Sequence, residues 1–217
     1  MSWALILGAS SGFGAATALE LARAGYDVFG VHLDRRSTLP AAEQAAEAVR
    51  QAGRRVVYIN ANAADPEKRR EVLDTIEKQV TEDGTPGGVG VLMHSLAFGT
   101  LRPFVAGGES GAVTQAQMEM TLDVMANSLV YWTRELVWRG LMTRGGRVFA
   151  MTSAGSTHAI LNYGAVSAAK AALEAHVRQL AFELAPQGIS VNAIRAGVTD
   201  TAALRKIPGN EAIVERG

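Results

Sequence analysis

The sequence contains no cysteine, which excludes a disulfide framework, a thiolate metal site and a cysteine nucleophile. Its 21 basic and 21 acidic side chains balance, so no net charge attracts nucleic acid or an anionic membrane. No apolar run approaches the ~20 residues of a membrane span, and residues 1–8 lack the basic flank of a signal peptide. We therefore expect a soluble, cytoplasmic protein without nucleic-acid or membrane partners.

Metal ligands are also scarce. The four histidines have no metal-ligand spacing and no pair of carboxylates suggests a divalent cation, so no metal is predicted. Apolar residues, in contrast, are plentiful. They make up 48% of the 217 residues, which is enough for the core of one domain over residues 1–217.

Short apolar runs of strand length alternate with longer segments of helical periodicity. Strands are predicted at residues 3–7, 27–33, 55–60, 89–94, 146–152 and 188–195. Helices are predicted at residues 13–24, 40–52, 66–82, about 114–142 and 162–185, the third with Asp65 as N-cap and Pro66 in its first turn. This alternation is typical of an α/β fold with a doubly wound parallel sheet of the Rossmann type, whose strands are buried between helices.

Three glycines follow the first predicted strand, in the segment Gly8-Ala9-Ser10-Ser11-Gly12-Phe13-Gly14. Gly8 permits a tight turn, Gly12 lets a pyrophosphate approach the backbone, and Gly14 lets the first helix pack on the strand. Backbone amides and the positive end of the helix dipole then face one point, which predicts a dinucleotide-binding turn. The same letters match the G-x-S-x-G of a hydrolase elbow, with His158 or His176 as its histidine.

Two later segments resemble the short-chain dehydrogenase/reductase superfamily: NYGAVSAAKAALEA at residues 162–175 and SVNAIRAG at residues 190–197. Within the superfamily the chain looks like the enoyl-acyl-carrier-protein reductase branch, because six residues separate Tyr163 from Lys170. Ketone and alcohol enzymes of the superfamily have Tyr-x3-Lys, which here would require a tyrosine at Val166.

Other motifs resemble the same branch. His94-Ser95-Leu96-Ala97 stands where most relatives have Asn-Asn-Ala-Gly, and Ala196-Gly197 replaces the commoner Pro-Gly. Residues 99–103 (GTLRP) and 200–204 (DTAAL) resemble its NADPH-using bacterial variant. The usual active-site asparagine of the superfamily aligns with Met125, although Asn127 is nearby. Most members of the superfamily continue with a last helix and a seventh strand, for which this sequence has no counterpart. We therefore expect the fold to lack both elements, and the sequence to be either a fragment or a shortened relative.

The resemblance implies NADPH- or NADH-dependent reduction of the carbon-carbon double bond of an enoyl thioester, in fatty acid synthesis. It implies a small-molecule or carrier-bound acyl substrate and a homo-oligomer, a dimer or tetramer. Tyr163 would stabilise the enolate oxygen, Lys170 would bind the nicotinamide ribose, and Ser153 replaces a second tyrosine. Residues seven apart nearly share a helix face, so Tyr163 and Lys170 are expected in one cleft. The implied cofactor contacts are Gly8, Ser10, Ser11, Gly12, Phe13, Gly14, Asn62, Ala63, Ser95, Leu96, Ala97, Lys170, Ala196, Gly197, Val198 and Thr201.

The residues after the second strand favour NADPH over NADH. NAD-dependent enzymes usually carry an acidic residue at the position that is His32 here. Arg35 and Arg36 follow, with guanidinium groups suited to a 2′-phosphate. Asp34 lies between and would favour NADH instead.

Several alternatives remain open. Asn62 is also a plausible turn residue, Thr201 a helix N-cap, and His94 a strand-end histidine without a proton-transfer role. The function could also be reduction or oxidation of a ketone, aldehyde or alcohol, or nucleotide binding without catalysis.

Overall fold

The computed structural model describes residues 2–85 and 88–207 of the chain. Residue 1, residues 86–87 and residues 208–217 lie outside the described residues, and the prediction of one domain over 1–217 extends onto them. Six strands are described: β1 Trp3–Leu7, β2 Asp27–His32, β3 Val56–Asn60, β4 Val89–His94, β5 Arg147–Thr152 and β6 Ser190–Arg195. The α-helices are α1 Gly12–Arg23, α2 Leu39–Gln51, α3 Pro66–Glu82, α4 Gln115–Leu122, α5 Ser128–Trp138 and α6 Gly164–Leu184.

The six strands form one parallel sheet in the order β3-β2-β1-β4-β5-β6. The chain builds outward from β1 to one edge and then returns to β4 to build the other half. This confirms the predicted α/β fold with a doubly wound parallel sheet. The described residues contain six strands of this sheet. In such sheets the crevice lies at the carboxyl ends of the strands where the order reverses, here between β1 and β4.

The strands differ in burial according to their place in the sheet. Every residue of β1 and β2 is buried, as predicted, and their apolar side chains form the core between the helix layers. The prediction is wrong for the two edge strands, because β3 is mainly half-buried and residues 192–195 of β6 are exposed. Each edge strand has a neighbouring strand on only one side within the described residues.

The start of α3 follows the sequence signals. The Asp65 carboxylate accepts hydrogen bonds from the backbone amides of Glu67 at 2.8 Å and Lys68 at 3.1 Å. Pro66 occupies the first helical position, where its missing amide hydrogen costs nothing. The predicted N-cap is therefore confirmed.

The single helix predicted at about 114–142 is wrong. A π turn, Asp123–Asn127, separates α4 from α5, and α5 ends at Trp138. Ser128 marks the junction, since its hydroxyl donates to the backbone carbonyl of Val124 at 2.7 Å. The early end has a local cause: Gly140 adopts a left-handed φ of 66°, which stops an α-helix.

Candidate active site

The turn between β1 and α1 requires its glycines. Gly8 and Gly12 have φ angles of +88° and +53°, which disfavour residues with a side chain. A Cβ on Gly8 would lie 2.5 Å from the backbone oxygen of Ser95 on the strand end next to it. A Cβ on Gly14 would overlap the carbonyl oxygen of Gly8. The first turn of α1 therefore packs against the strand ends, with its amide groups facing the crevice.

A first cavity of about 270 Å³, here called the glycine-turn cavity, opens beside this turn. The ends of β1, β2, β3 and β4 contribute to its wall, as expected for the crevice of a doubly wound sheet. It brings together these predicted cofactor contacts: Gly8, Ser10, Ser11, Gly12, Phe13, Asn62, Ala63, Ser95, Leu96, Ala97 and Thr201. Gly14 does not line the cavity and acts through the packing described above.

Asp34, the residue that favours NADH in the sequence, lines this cavity. Its Oδ2 lies 2.9 Å from Nδ1 of His32. Burial acts to raise the pKa of the Asp34 carboxyl, but hydrogen bonds from Thr38, Ser10 and His32 together hold the pKa below its usual value. A fixed negative charge therefore stands next to the glycine turn.

Arg35 and Arg36 do not line the glycine-turn cavity and are exposed. Hydrogen bonds of the backbone explain why the Asp34 side chain lines the cavity and those of Arg35 and Arg36 do not. Asn60, at the end of β3, accepts a hydrogen bond from the Asp34 amide at 3.0 Å and donates one to the Asp34 carbonyl oxygen at 2.9 Å. This pair of bonds fixes the chain at Asp34, whereas the side chains of the two arginines extend toward solvent.

A second cavity of about 270 Å³, the tyrosine cavity, adjoins the first. The remaining predicted residues line it: Ser153, Tyr163, Lys170, Ala196, Gly197 and Val198. Much of its wall is apolar and includes Leu101, Met125, Ile160, Val166 and Leu204. The two cavities share Phe13, Ser95, Leu96, Ala97, Thr201, Ala203 and Lys206. Their shared wall makes them two parts of one crevice.

Tyr163 stands immediately before α6, which begins at Gly164 and not at residue 162 as predicted. The residue before it, Asn162, has a left-handed φ of 59°. This turn brings the tyrosine into the cavity wall, where the residue is 8% exposed. Its ring lies on the backbone of Gly155, since a Cβ there would be 2.5 Å from Cε1 of the ring.

Lys170 is buried and lies in the same cavity wall. Its Nζ donates a hydrogen bond to the backbone oxygen of Met151, at the end of β5, over 2.6 Å. Burial lowers the pKa of Lys170 to about 8. Close by, the Ser153 hydroxyl is buried and has no hydrogen-bond partner among the described residues. The site thus presents an ammonium group and an unpaired hydroxyl in addition to the phenol.

His94 ends β4 behind the cavity and is fully buried. Its Nε2 lies 2.8 Å from the Ser128 hydroxyl, whose hydrogen goes to Val124, so Nε2 is the donor. Burial, and then the charge of Lys170, lower the pKa of His94 to about 3. The histidine is neutral at physiological pH, in agreement with a strand-end residue that has no proton-transfer role.

Comparison with known proteins assigns the chain to a family. The family model described as "Enoyl-(Acyl carrier protein) reductase" matches residues 8–216. The chain belongs to this family of short-chain dehydrogenases/reductases.

Relatives in the enoyl-(acyl carrier protein) reductase family carry two cofactor labels. Enoyl-(acyl-carrier-protein) reductase (NADH) FabI of Nostoc sp. (strain PCC 7120) is 33% identical over 153 residues, covering 70% of this chain and 55% of the relative. The (NADPH) FabI of Staphylococcus aureus (strain MRSA252) is 31% identical over 151 residues, covering 70% and 56%. The matches thus span little more than half the length of these relatives.

Another relative has a different name. 3-Oxoacyl-(acyl-carrier-protein) reductase FabG of Aggregatibacter actinomycetemcomitans is 31% identical over 212 residues, covering 96% of this chain and 81% of the relative. Among solved structures, a dehydrogenase/reductase from Sinorhizobium meliloti 1021 has a TM-score of 0.82 at 27% identity, covering 99% of this chain and 79% of that one. A short-chain dehydrogenase from Burkholderia cenocepacia J2315 in complex with NADP has a TM-score of 0.76 at 27% identity, covering 93% and 76%.

Three other kinds of feature would indicate other functions: a hydrolase histidine, a metal site and a membrane-spanning helix. His158 bonds to Thr157 and His176 to Asn127, and neither lines the glycine-turn cavity where Ser10 lies, so neither can serve Ser10 as the histidine of a hydrolase triad. The residues that the structure describes hold no group of three potential ligands for a metal ion. Within the same residues, no helix has the length and apolar character to cross a membrane.

Thr201 lines both cavities, as predicted for a cofactor contact. The alternative of a helix N-cap is wrong, because Ala203 is the N-cap of the short 3-10 helix Leu204–Lys206. The Thr201 hydroxyl still accepts a hydrogen bond from the Leu204 amide at 3.2 Å. Asn62 likewise lines the glycine-turn cavity and closes a local turn with its side chain, which accepts the Ala64 amide at 3.1 Å. Met125, aligned with the usual asparagine, lies in the π turn and lines the tyrosine cavity.

Proposed function

We propose that the protein is an NAD(P)H-dependent oxidoreductase that reduces the carbon-carbon double bond of an enoyl thioester. The spacing of Tyr163 and Lys170 carries this proposal. Both residues line the tyrosine cavity, and Val166 occupies the position that would hold the tyrosine of a Tyr-x3-Lys enzyme. The apolar remainder of the wall suits an acyl chain.

The crevice fits a reduced nicotinamide dinucleotide. Left-handed Gly8 and Gly12 and the start of α1 suit its pyrophosphate, and Asn62 and Ala63 suit its adenine. Ser95, Val198 and Lys170 suit the nicotinamide half. Such a dinucleotide supplies hydride to the β-carbon of the thioester. The glycine-turn cavity and the tyrosine cavity have adjoining walls, as binding along both requires.

The residues of this chain act on the thioester oxygen, where negative charge develops during reduction. The Tyr163 hydroxyl donates a hydrogen bond to that oxygen, and in the buried cavity wall this bond gains strength from the low local dielectric. The Lys170 ammonium holds the ribose and favours negative charge nearby. The unpaired Ser153 hydroxyl is a second donor for the substrate.

The wider assignments are part of the proposal. The names of the two FabI relatives support a carrier-bound acyl substrate and a place in fatty acid synthesis. We propose a homo-oligomer in the cytoplasm, as the resemblance implies. The preference for NADPH inferred from Arg35 and Arg36 stays a prediction, and Asp34 in the cavity wall is the residue that competes with it.

Product identification tests the proposal. Crotonyl thioester and a β-ketoacyl thioester are incubated together with the enzyme and a reduced dinucleotide, and the products are separated by mass. We expect the saturated acyl product. In Tyr163→Phe the loss of one donor to the oxyanion should lower kcat roughly 10²–10³-fold, with dinucleotide affinity little changed. A hydroxyacyl product without any saturated product contradicts the proposal.

Carbonyl reduction is the second candidate. The FabG relative supports it, since that match extends over 96% of this chain. The mixed incubation distinguishes the two reactions directly, because they give products of different mass from different substrates. Dinucleotide binding without either product would indicate the third alternative, a nucleotide-binding protein without catalysis.

A further inference from the structure

Glu174 lies on α6 one turn beyond Lys170, outside the cavity wall, and no part of the proposed reaction uses it. Residues four apart on a helix are neighbours on one face, so Glu174 follows Lys170 toward the end of β5. It is half-buried. A carboxylate in this position has to be stabilised by hydrogen bonds or opposite charge.

The carboxylate is held by the end of β5. The Thr152 hydroxyl donates to Glu174 Oε1 over 2.6 Å, and the residue before it, Met151, accepts from Lys170 Nζ over 2.6 Å. Two successive residues of the strand are therefore tied to two residues one turn apart on the helix. Ser153, with its unpaired hydroxyl, is the next residue of this segment.

The charges around Glu174 keep it ionised. Burial acts to raise its pKa, but hydrogen bonds from Thr152 and Ser156 and the charges of Arg195 and Arg178 hold the pKa below its usual value. The resulting carboxylate acts on Lys170 against the effect of burial. His94 also faces this lysine from β4, but it is neutral at physiological pH.

We propose that Glu174 is a positioning residue whose carboxylate, anchored by Thr152, keeps the buried ammonium of Lys170 charged at the site. The catalytic use of Lys170 rests on the proposed function, whereas its titration does not. If Glu174 served only to join helix and strand through Thr152, replacing its charge while keeping that hydrogen bond would leave the titration of Lys170 unchanged.

Competitive acetylation measures the titration without any turnover. The full-length protein is treated with a trace of acetic anhydride across pH 6–11, and the labelled fraction of Lys170 is measured by mass spectrometry. We expect a midpoint near pH 8 in the wild type. In Glu174→Gln, whose amide oxygen still accepts from Thr152, we expect the midpoint to fall by about half a pH unit or more.

Two further variants complete the test. Glu183→Gln removes one carboxylate from an exposed position of the same helix, where the residue accepts from Gln179, and its midpoint should match that of the wild type. Thr152→Val keeps every charge and removes only the anchoring hydroxyl, so its midpoint should fall in the same direction by a smaller amount.

The outcomes are distinct. A lower midpoint in Glu174→Gln, with Glu183→Gln unchanged, supports the role of Glu174 whether or not enoyl thioesters are reduced. An unchanged midpoint in Glu174→Gln overturns it. If Glu174→Gln does not fold, Thr152→Val decides between the same two results. Failure of the product assay alone counts against the proposed reaction and not against this inference.

Discussion

The ring of Tyr163 packs directly on the backbone of Gly155, where an added Cβ would come within 2.5 Å of Cε1. Gly155→Ala must therefore displace the ring or the loop beneath it. We expect kcat to fall by about 10²-fold, the typical effect of ~1 Å of misplacement, with little change in dinucleotide Kd. Steady-state kinetics and fluorescence titration measure the two quantities. Gly107→Ala is the control, because a Cβ there meets no heavy atom within 4 Å; equal kcat in both variants would contradict the prediction.

Asn162 holds the left-handed conformation that precedes Tyr163. Glycine adopts this conformation freely, whereas valine resists it by roughly 1–2 kcal/mol. We expect Asn162→Gly to keep most of kcat and Asn162→Val to lose both stability and activity, because the tyrosine moves when the turn changes. Urea unfolding and kcat are compared for the pair. Equal results for the two variants would show that the backbone at this residue does not position Tyr163.

Gly14 separates α1 from the carbonyl oxygen of Gly8, with no space for a side chain. Gly14→Val should displace the turn and weaken dinucleotide binding at least tenfold, or about 1.4 kcal/mol, in a protein that still folds. Calorimetric titration gives the affinity and circular dichroism the fold. Wild-type affinity in a folded variant would remove Gly14 from the binding site.

Asp34 places a carboxylate in the wall of the glycine-turn cavity. A negative charge repels a 2′-phosphate and accepts hydrogen bonds from an unmodified ribose. Asp34→Asn should therefore raise the ratio of kcat/KM with NADPH to kcat/KM with NADH, by on the order of tenfold. Arg35→Ala and Arg36→Ala should lower the same ratio if those side chains reach the phosphate. A ratio that does not respond to Asp34→Asn would exclude this carboxylate as a determinant.

The burial of Lys170 makes the free energy of unfolding depend on pH, and the direction of this dependence follows from the lowered pKa. Burial lowers the pKa of Lys170 to about 8, against about 10.4 for an exposed lysine of the unfolded chain. Between these pH values the unfolded chain binds more protons, so this group makes the wild type more stable as pH rises from 8 to 10.4. Below pH 8 its charged form costs stability in full.

Lys170→Met removes the free-energy cost of burying the charged ammonium, and it also removes the hydrogen bond to the backbone oxygen of Met151. We expect the variant to be about 1–3 kcal/mol more stable than the wild type at pH 7, with most activity lost. The difference in the free energy of unfolding between the variant and the wild type should be smaller at pH 10, where the wild type no longer carries most of this charge. Urea unfolding at pH 7 and pH 10 measures this difference, and a variant less stable than the wild type at pH 7 would contradict the prediction.

Local signals in the sequence predicted the strands, the glycine turn and the start of α3, because each depends on residues next to it in the chain. The orientation of Asp34 could not be predicted in this way. It depends on hydrogen bonds to Asn60, which is distant in sequence and adjacent only after β2 and β3 pair. The burial of Lys170 and its bond to Met151 likewise require the packing of α6 on β5.

The π turn between α4 and α5 has a consequence for how this part of the chain is interpreted and engineered. It accommodates one residue more than an α-helical turn, and each residue advances about 100° around a helix axis. The side chains of α5 are therefore rotated by about 100° from where an uninterrupted α-helix would place them, and a single helical wheel over residues 115–138 misplaces one helix relative to the other. Deleting one residue from 123–127 would restore the α-helical phase and rotate Ser128, relative to α4, away from its position beside His94.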